Sequence, residues 1–116
     1  MKEVPLFNFE GQTYDLNFMD NEIQYYTVKD LISGVMVSQL IPAANDYVAI
    51  LGFKDFCKKR SEENDLNIYQ LIRVASFDVN ECRFIETEKE VLFKSTDDLE
   101  KFLSEARDFL AAQEEE

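Results

Sequence analysis

Acidic side chains are the residues of this sequence whose number and spacing could do chemistry. The chain of 116 residues holds 24 Asp and Glu against 12 Lys and Arg, so its net charge is −12. Glu86, Glu88 and Glu90 stand two apart, and in a β-strand they would share one face at intervals of about 6.8 Å. Because like charges aligned on one face repel, such a face is costly unless a cation receives it. The spacing therefore indicates a surface that binds a cationic partner.

A second set of acids follows at helical spacing. Ser95-Thr96-Asp97-Asp98 is a good helix start, since a capping hydroxyl precedes acids in the first turn. Beyond it, apolar residues recur at intervals of three and four and define an amphipathic C-terminal helix: Leu99, Phe102, Leu103, Ala106, Phe109 and Leu110. Both sets of acids together are named the acidic array here: Glu86, Glu88, Glu90, Asp97, Asp98, Glu100, Glu105 and Asp108.

Other acids and several cations modify this picture. Asp20 and Glu22 flank a predicted turn and are further candidates for partner binding. They could also hold a divalent ion, although turns attract Asp for its own backbone hydrogen bonds. The alternative for every acid is an ordinary solvated face, because basic residues interrupt the array at Lys89, Lys94, Lys101 and Arg107.

No motif in the sequence proposes a catalytic site. The chain has no His, which removes Ser-His-Asp and Cys-His catalysis, His metal sites and a His proton shuttle. It also has no GxGxxG, GxxxxGK[ST], CxxC or GxSxG motif. We therefore expect a protein that is not an enzyme and that needs neither a metal nor another cofactor.

Two cysteines and the N-terminus bear on the compartment. Cys57 and Cys82 form no secretory disulfide framework, and the N-terminus lacks the apolar core of a signal peptide. The longest apolar stretch, residues 47–53, is too short to cross a bilayer. We expect a cytoplasmic protein with reduced thiols and no membrane contact. Three cations follow Cys57 and would lower the pKa of its thiol; the alternative is that Cys57 is a small apolar filler.

The N-terminal half predicts strands and one helix. Residues 6–9 form a strand before a turn at Gly11, and residues 14–18 alternate as a second strand. A hairpin turn at Asp20-Asn21 would pair that strand with residues 23–27. Thr27 or Asp30 would cap a helix that includes residues 31–36, and Pro42 would end that helix. For residues 43–60, a short strand around 47–53 and a helix over 54–63 are favoured over a single helix.

The C-terminal half completes an α+β fold. Residues 68–77 form a strand that ends in a turn at 78–80. Residues 83–88 and 91–94 form two more strands with a turn near Glu88-Lys89, and the C-terminal helix follows. We predict a single domain over residues 1–113, with an antiparallel sheet and two or three helices packed against it, and an acidic tail over 114–116.

The charge distribution leaves two classes of function open. Residues 61–116 hold 16 acidic and 6 basic groups, and this excess opposes attraction to nucleic acid or to anionic membrane. In the first interpretation, the acidic array imitates DNA phosphates and docks into the cationic groove of a DNA-binding protein. In the second, the charge gives solubility and an apolar patch binds a partner, which the 10 Phe and 5 Tyr allow.

The acidic C-terminal half resembles the small bacterial DNA-mimic proteins. The resemblance lies in the chain's size, its charge and the segments ETEKE at 86–90, TDDLEKFLSEARD at 96–108 and the terminal EEE. It is nearest to the neisserial type that binds the histone-like protein HU. This resemblance implies a monomeric α+β protein that occupies the DNA-binding surface of HU, does not bind nucleic acid itself and joins the nucleoid through its partner.

The N-terminus carries a second resemblance. VPLFNFEGQTYDLNF, followed by DNE and YTVKDL, is similar to the start of phage antirepressor domains of the Bro type. The aromatic-Val that precedes Lys-Asp in that family is replaced by Tyr26-Thr27-Val28, and the match fades after residue 35. A phage antirepressor-like regulator is therefore one alternative function. Immunity proteins and secretion chaperones, which are also small and acidic, are others.

Overall fold

An antiparallel sheet of five strands forms the centre of the molecule. The computed structural model describes residues 5–17, 22–37, 39–64, 67–85 and 89–114. In chain order the elements are β1 (Phe7–Phe9), β2 (Gln12–Tyr14), β3 (Glu22–Asp30), β4 (Ile41–Ala43), α1 (Asp46–Glu62), β5 (Tyr69–Asp78), β6 (Arg83–Ile85), β7 (Glu90–Lys94) and α2 (Leu99–Glu114). The sheet order is β4-β3-β5, with β6 and β7 both paired to β5. The predicted α+β class with an antiparallel sheet is confirmed, and the described residues hold two helices, where two or three were predicted.

The N-terminal hairpin is shorter than predicted and has another partner. β1 and β2 pair through a two-residue turn in which Glu10 and Gly11 both have positive φ, as the Gly11 signal predicts. The predicted strand over 14–18 is wrong for residues 15–17, whereas Phe18 lies outside the described residues. Its predicted pairing with 23–27 is wrong. β3 pairs with β4 and β5 instead, because nine residues of β3 find partners along β5. The predicted turn at Asp20-Asn21 lies outside the described residues.

The predicted helix over 31–36 is wrong, because β3 ends in a turn. The Asp30 carboxylate accepts hydrogen bonds from the backbone N–H groups of Ile32 and Ser33 at 2.8 and 3.4 Å. Gly34 adopts φ +77°, and the chain then returns beside β3 with a bridge between Lys29 and Met36. Asp30 therefore caps a turn and not a helix, and the left-handed glycine reverses the chain.

Residues 46–62 form one helix, so the predicted strand at 47–53 and the helix start at Lys54 are both wrong. Asn45 is the N-cap, and its side chain accepts a hydrogen bond from Val48 N at 3.0 Å. Asp46 adds an acidic residue to the first turn, where the helix dipole favours negative charge. The strand-like run YVAILGF is helical because this cap begins the helix before it.

β6 and β7 lie one after the other along the same edge of β5. β6 pairs with residues 76–78 of β5 and β7 with residues 70–73, and both run antiparallel to it. The predicted turn near Glu88-Lys89 includes Glu88, which lies outside the described residues. The strand over 68–77 and the turn after Asp78 are confirmed, since β5 spans these residues and the Asp78 carboxylate accepts from Asn80 N.

α2 packs its predicted apolar face into the core. Phe102 is fully buried and contacts rings from the hairpin and from β7, with centroid distances of 4.8 Å to Tyr14 and 5.1 Å to Phe93. Leu99, Leu103 and Ala106 are buried beside it. The amphipathic C-terminal helix is thus confirmed. It reaches Glu114, the first residue of the predicted acidic tail, while residues 115–116 lie outside the described residues.

Candidate functional site

The acidic array is only partly described by the structure, and its described members are exposed. Glu90 is exposed on β7, and the acids at the start of α2 and along its outer face are exposed as well: Asp97, Asp98, Glu100, Glu105 and Asp108. Glu22 is half-buried at the start of β3. Glu86, Glu88 and the outlying candidate Asp20 lie outside the described residues. The structure therefore brings five of the predicted acids together on one helix and the turn before it.

Several of these acids have structural partners. Asp97 accepts a hydrogen bond from Lys94 N at 2.8 Å, and Asp98 caps α2 by accepting from Lys101 N at 3.0 Å. Glu100 forms a salt bridge with Lys54, which joins α2 to α1. Such acids are less available to a partner than free carboxylates, because binding them would compete with bonds within the fold.

Glu105 and Asp108 differ from the other acids of α2. Both are exposed, and neither makes a hydrogen bond or a salt bridge to another residue within the described ranges. They lie three residues apart, so they are neighbours on the outer face of the helix. Arg107 stands between them in sequence, and contact with Tyr47 is the main cause that raises the pKa of its guanidinium. Glu105 and Asp108 are therefore the acids best placed to meet a partner.

A buried ion-pair network that no sequence pattern predicted joins α1 to β3, β5 and β7. Asp46 is fully buried, and both of its carboxylate oxygens accept from Arg73 Nη1 at 2.7 Å. The Tyr26 hydroxyl donates to Asp46 at 2.7 Å, and Asp15 N donates at 2.9 Å. Arg73 Nη2 also reaches Glu90 at 2.5 Å. Glu90 is thus bonded to the network, which diminishes its part in the acidic array.

The electrostatics of this network favour a structural role. Burial raises the pKa of the Tyr26 hydroxyl far above its ordinary value, and the adjacent Asp46 charge and hydrogen bond raise it further. Burial would lower the pKa of Arg73, but the charge and hydrogen bond of Asp46 outweigh that effect and raise it. Both groups therefore keep their protons. Two sequence signals could have found the network: Asn45-Asp46 precedes an apolar run, and Arg73 is the one charge within residues 69–77.

Cys57 is a poorer nucleophile than the three cations that follow it in sequence would suggest. Its side chain is half-buried and packs against the core, and burial raises the pKa of the thiol to about 11. The predicted lowering by the adjacent cations is wrong, because desolvation is the dominant cause. Cys57 therefore behaves as the apolar filler of the alternative interpretation, whereas the thiol of Cys82 is exposed.

An exposed apolar region adjoins the β4 edge of the sheet. Residues 31–45 contain no charged side chain. Nine large apolar residues between 31 and 51 are exposed, and we name them the apolar edge: Leu31, Ile32, Val35, Met36, Val37, Leu40, Ile41, Val48 and Leu51. Because monomeric proteins rarely expose a contiguous apolar patch of more than a few hundred Å², this region is a candidate binding surface. The sequence did not predict this surface, because the helix expected over residues 31–36 would have packed against the sheet.

An open cavity of about 340 Å³ lies next to this edge, between α1 and the sheet. Its walls include Ile41 and Pro42 of β4, Gly52 and Phe53 of α1, and Val28 of β3. The lining residues are apolar apart from the Tyr26 hydroxyl, which is bonded to Asp46. The cavity can therefore hold apolar groups but offers little to a charged one.

The described ranges hold no metal-ligand cluster and no membrane-spanning helix. No group of three or more Cys, Asp or Glu residues there has an arrangement that could hold a metal ion. No helix within those ranges is long and apolar enough to cross a membrane. No protein-family model, curated protein or solved structure matches this chain.

Proposed function

We propose that this protein is a non-catalytic binding protein whose acidic surface occupies the basic, DNA-binding surface of a partner and competes there with DNA. The observation that carries the proposal is the exposure of Asp97, Asp98, Glu100, Glu105 and Asp108 along one helix and the turn before it. HU is the partner to which the family resemblance points. The protein would act in the cytoplasm as a monomer and would reach the nucleoid through that partner.

The magnitude of the charge decides how the contact is made. DNA carries one phosphate charge per about 1.7 Å of its axis. α2 has 16 residues, which span about 24 Å, and it holds four acids, so its charge spacing is about 6 Å. Because α2 alone is about threefold sparser than DNA, the proposal assigns the long-range attraction to the whole of residues 61–116, whose net charge is −10, and the docking contact to the exposed acids of α2. Long-range attraction of this kind speeds association and is strongly screened by salt.

The test is binding of the purified protein to HU at about 50 mM and about 500 mM salt, with duplex DNA as competitor. We expect the affinity to fall by about tenfold or more at the higher salt, and we expect DNA to displace the protein. Binding that persists at high salt and ignores DNA would refute the mimicry. Absence of binding to HU at low salt would remove HU as the partner.

Charge reversal localises the contact. The double variant Glu105→Lys/Asp108→Lys changes the two acids that have no bond within the described fold. Its matched control, Glu62→Lys/Glu63→Lys, makes the same change of charge on exposed acids at the end of α1. We expect the first pair to weaken binding at low salt about tenfold and the control to weaken it much less. Equal losses would indicate a diffuse field without a docking face on α2.

The apolar edge favours a second candidate function, an immunity or chaperone-type protein that binds its partner through apolar contact. Ile32 and Val35 are 67% and 58% exposed within a segment that carries no charge. Such an interface would hold or strengthen as salt rises, because salt screens charges and does not weaken apolar burial. The double variant Ile32→Ser/Val35→Ser would then abolish partner binding, whereas reversal of Glu105 and Asp108 would leave it unchanged.

A further inference from the structure

We propose that the cavity between α1 and strands β3, β4 and β5 is a binding site for a small, uncharged, apolar molecule. Its volume is about 340 Å³. A cavity of about 150 Å³ lined by aliphatic and aromatic side chains holds benzene, and ligand pockets begin near 300 Å³. The volume therefore fits a compact ring system or an aliphatic chain of medium length.

The chemistry of the walls selects the class of ligand. Val28 and Leu71 form part of the floor on the sheet, and Val48 and Phe53 form part of the α1 wall. Among the lining residues that the structure describes, none is charged, and the one side-chain hydroxyl, on Tyr26, already donates to Asp46. Water in such a space finds few hydrogen-bond partners, so an apolar molecule that displaces it is favoured. A carboxylate or an ammonium group would lose its hydration without compensation.

Gly52 keeps the α1 wall open. Glycine is a poor residue for a helix interior, and Gly52 lies in the middle of α1, in the wall of the cavity. A Cβ atom added there would meet nothing within 4 Å, so neighbouring atoms do not require the glycine. The absence of a side chain at Gly52 leaves open space at the cavity wall. Because Gly52 lines the cavity and a Cβ there meets no neighbouring atom, we expect a larger residue at this position to narrow the cavity.

The entrance is also apolar. Ile41 and Val48 line the cavity and remain 39% and 37% exposed, so the site opens toward solvent between β4 and α1. The chain that leads to β4, residues 31–40, carries no charge. An uncharged molecule can therefore reach the cavity without passing a charged rim on that side.

The experiment is a fluorescence titration of the full chain with N-phenyl-1-naphthylamine, an uncharged dye that brightens in apolar sites. We expect saturable binding of one dye per chain in the micromolar range. In Gly52→Leu the affinity should fall about tenfold or more, because the new side chain takes up the contact surface of the ligand. Far-UV circular dichroism and the melting temperature check that this variant is folded. Ala43→Leu, which narrows the cavity from the β4 wall, should have the same effect.

A matched control separates the cavity from the exposed surface. Leu51 is the neighbour of Gly52, is 42% exposed and is not among the lining residues. We expect Leu51→Ser to leave dye binding unchanged. Failure of the folded wild-type protein to bind the dye would overturn the proposal, as would loss of binding in Leu51→Ser with full binding in both Gly52→Leu and Ala43→Leu.

Displacement of the dye tests the ligand class. Decanol should displace it more strongly than decanoate, which has the same chain length but a charged end. Stronger displacement by decanoate would contradict an uncharged ligand. This site does not depend on the proposed contact with a basic partner, so salt-sensitive binding to HU should be the same in wild type and in Gly52→Leu.

Discussion

At the scale of single residues, Asp46 connects segments that are far apart in the chain. Its carboxylate accepts from Asp15 N, from the Tyr26 hydroxyl and from Arg73, and its own N–H donates to Asp15 O at 2.9 Å. The segment after β2, strand β3, strand β5 and the start of α1 therefore meet at one side chain. A carboxylate bonded in this way has no lone pair directed at a substrate, so we assign it to the architecture.

The Asp46–Arg73 pair should dominate local stability. We expect Asp46→Ala to lower the free energy of unfolding by about 3–5 kcal/mol, because it leaves the guanidinium of Arg73 without its buried partner. Glu90→Ala removes the exposed contact of Arg73 and should cost less than about 1 kcal/mol. Urea unfolding measures both values. The double variant Asp46→Ala/Arg73→Met should lose less free energy of unfolding than Asp46→Ala and Arg73→Met lose in sum. Strict additivity of the two single losses would contradict the coupling between Asp46 and Arg73.

At the scale of elements, the helix start predicted before α2 is correct, but a different residue caps the helix. The sequence predicted a hydroxyl cap in Ser95-Thr96, but Asp98 is the residue that accepts from Lys101 N. Ser95 instead accepts from Tyr69 N at 2.9 Å and donates its own N–H to Tyr69 O. Ser95 thus ties the beginning of β5 to the segment before α2, a contact that no local pattern encodes.

The capping assignment gives a measurable difference between neighbours. Asp98→Ala should lower the free energy of unfolding by about 1 kcal/mol, because the first turn of α2 loses its side-chain acceptor. Thr96→Ala should change it by less than about 0.5 kcal/mol, since the residue is exposed and outside the capping bond. Thermal or urea unfolding of both variants tests the assignment. A larger loss of stability in Thr96→Ala than in Asp98→Ala would show that the Thr96 hydroxyl is the cap.

At the scale of the whole molecule, burial of weak acids should make the fold sensitive to alkali. Burial raises the pKa of Cys57 from 9.0 to about 11 and that of Tyr14 from 10.0 to about 12. Above pH 9 the unfolded chain therefore loses protons that the folded chain retains. Stability is fully present below pH 9 and is lost progressively as the pH rises toward 12.

Denaturant unfolding between pH 8 and about pH 12 tests this linkage. We expect Cys57→Ala to flatten the fall in stability between pH 9 and pH 11, and we expect Tyr14→Phe to flatten it between pH 10 and pH 12. Cys82→Ala is the matched control, because its thiol is exposed and it should leave the profile unchanged. An unaltered profile in Cys57→Ala would show that the thiol is not desolvated in the folded protein.

The candidate surfaces were predicted unequally by the sequence. Periodicity predicted that acids such as Glu105 and Asp108 would lie on the exposed side of α2, because helical spacing directly sets the face of each residue. It could not predict that Glu90 would bond to Arg73 or that Glu100 would bond to Lys54, because those partners are distant in the chain. The apolar edge was also missed, because its residues have the composition of a core and only the sheet order leaves them at an edge.

The sequence by itself determined the features that depend on residue type and local spacing. Charge balance, the absence of His, the turn at Gly11, the strand before Asp78 and the amphipathic face of α2 all follow from residue type and spacing. The tertiary structure decided the rest: the strand order, the single helix from Asp46 and the cavity beside Gly52. These depend on long-range strand pairing, a buried ion pair and the fit between layers. Local propensities of the order of 1 kcal/mol per residue do not determine such choices, because tertiary contacts outweigh them.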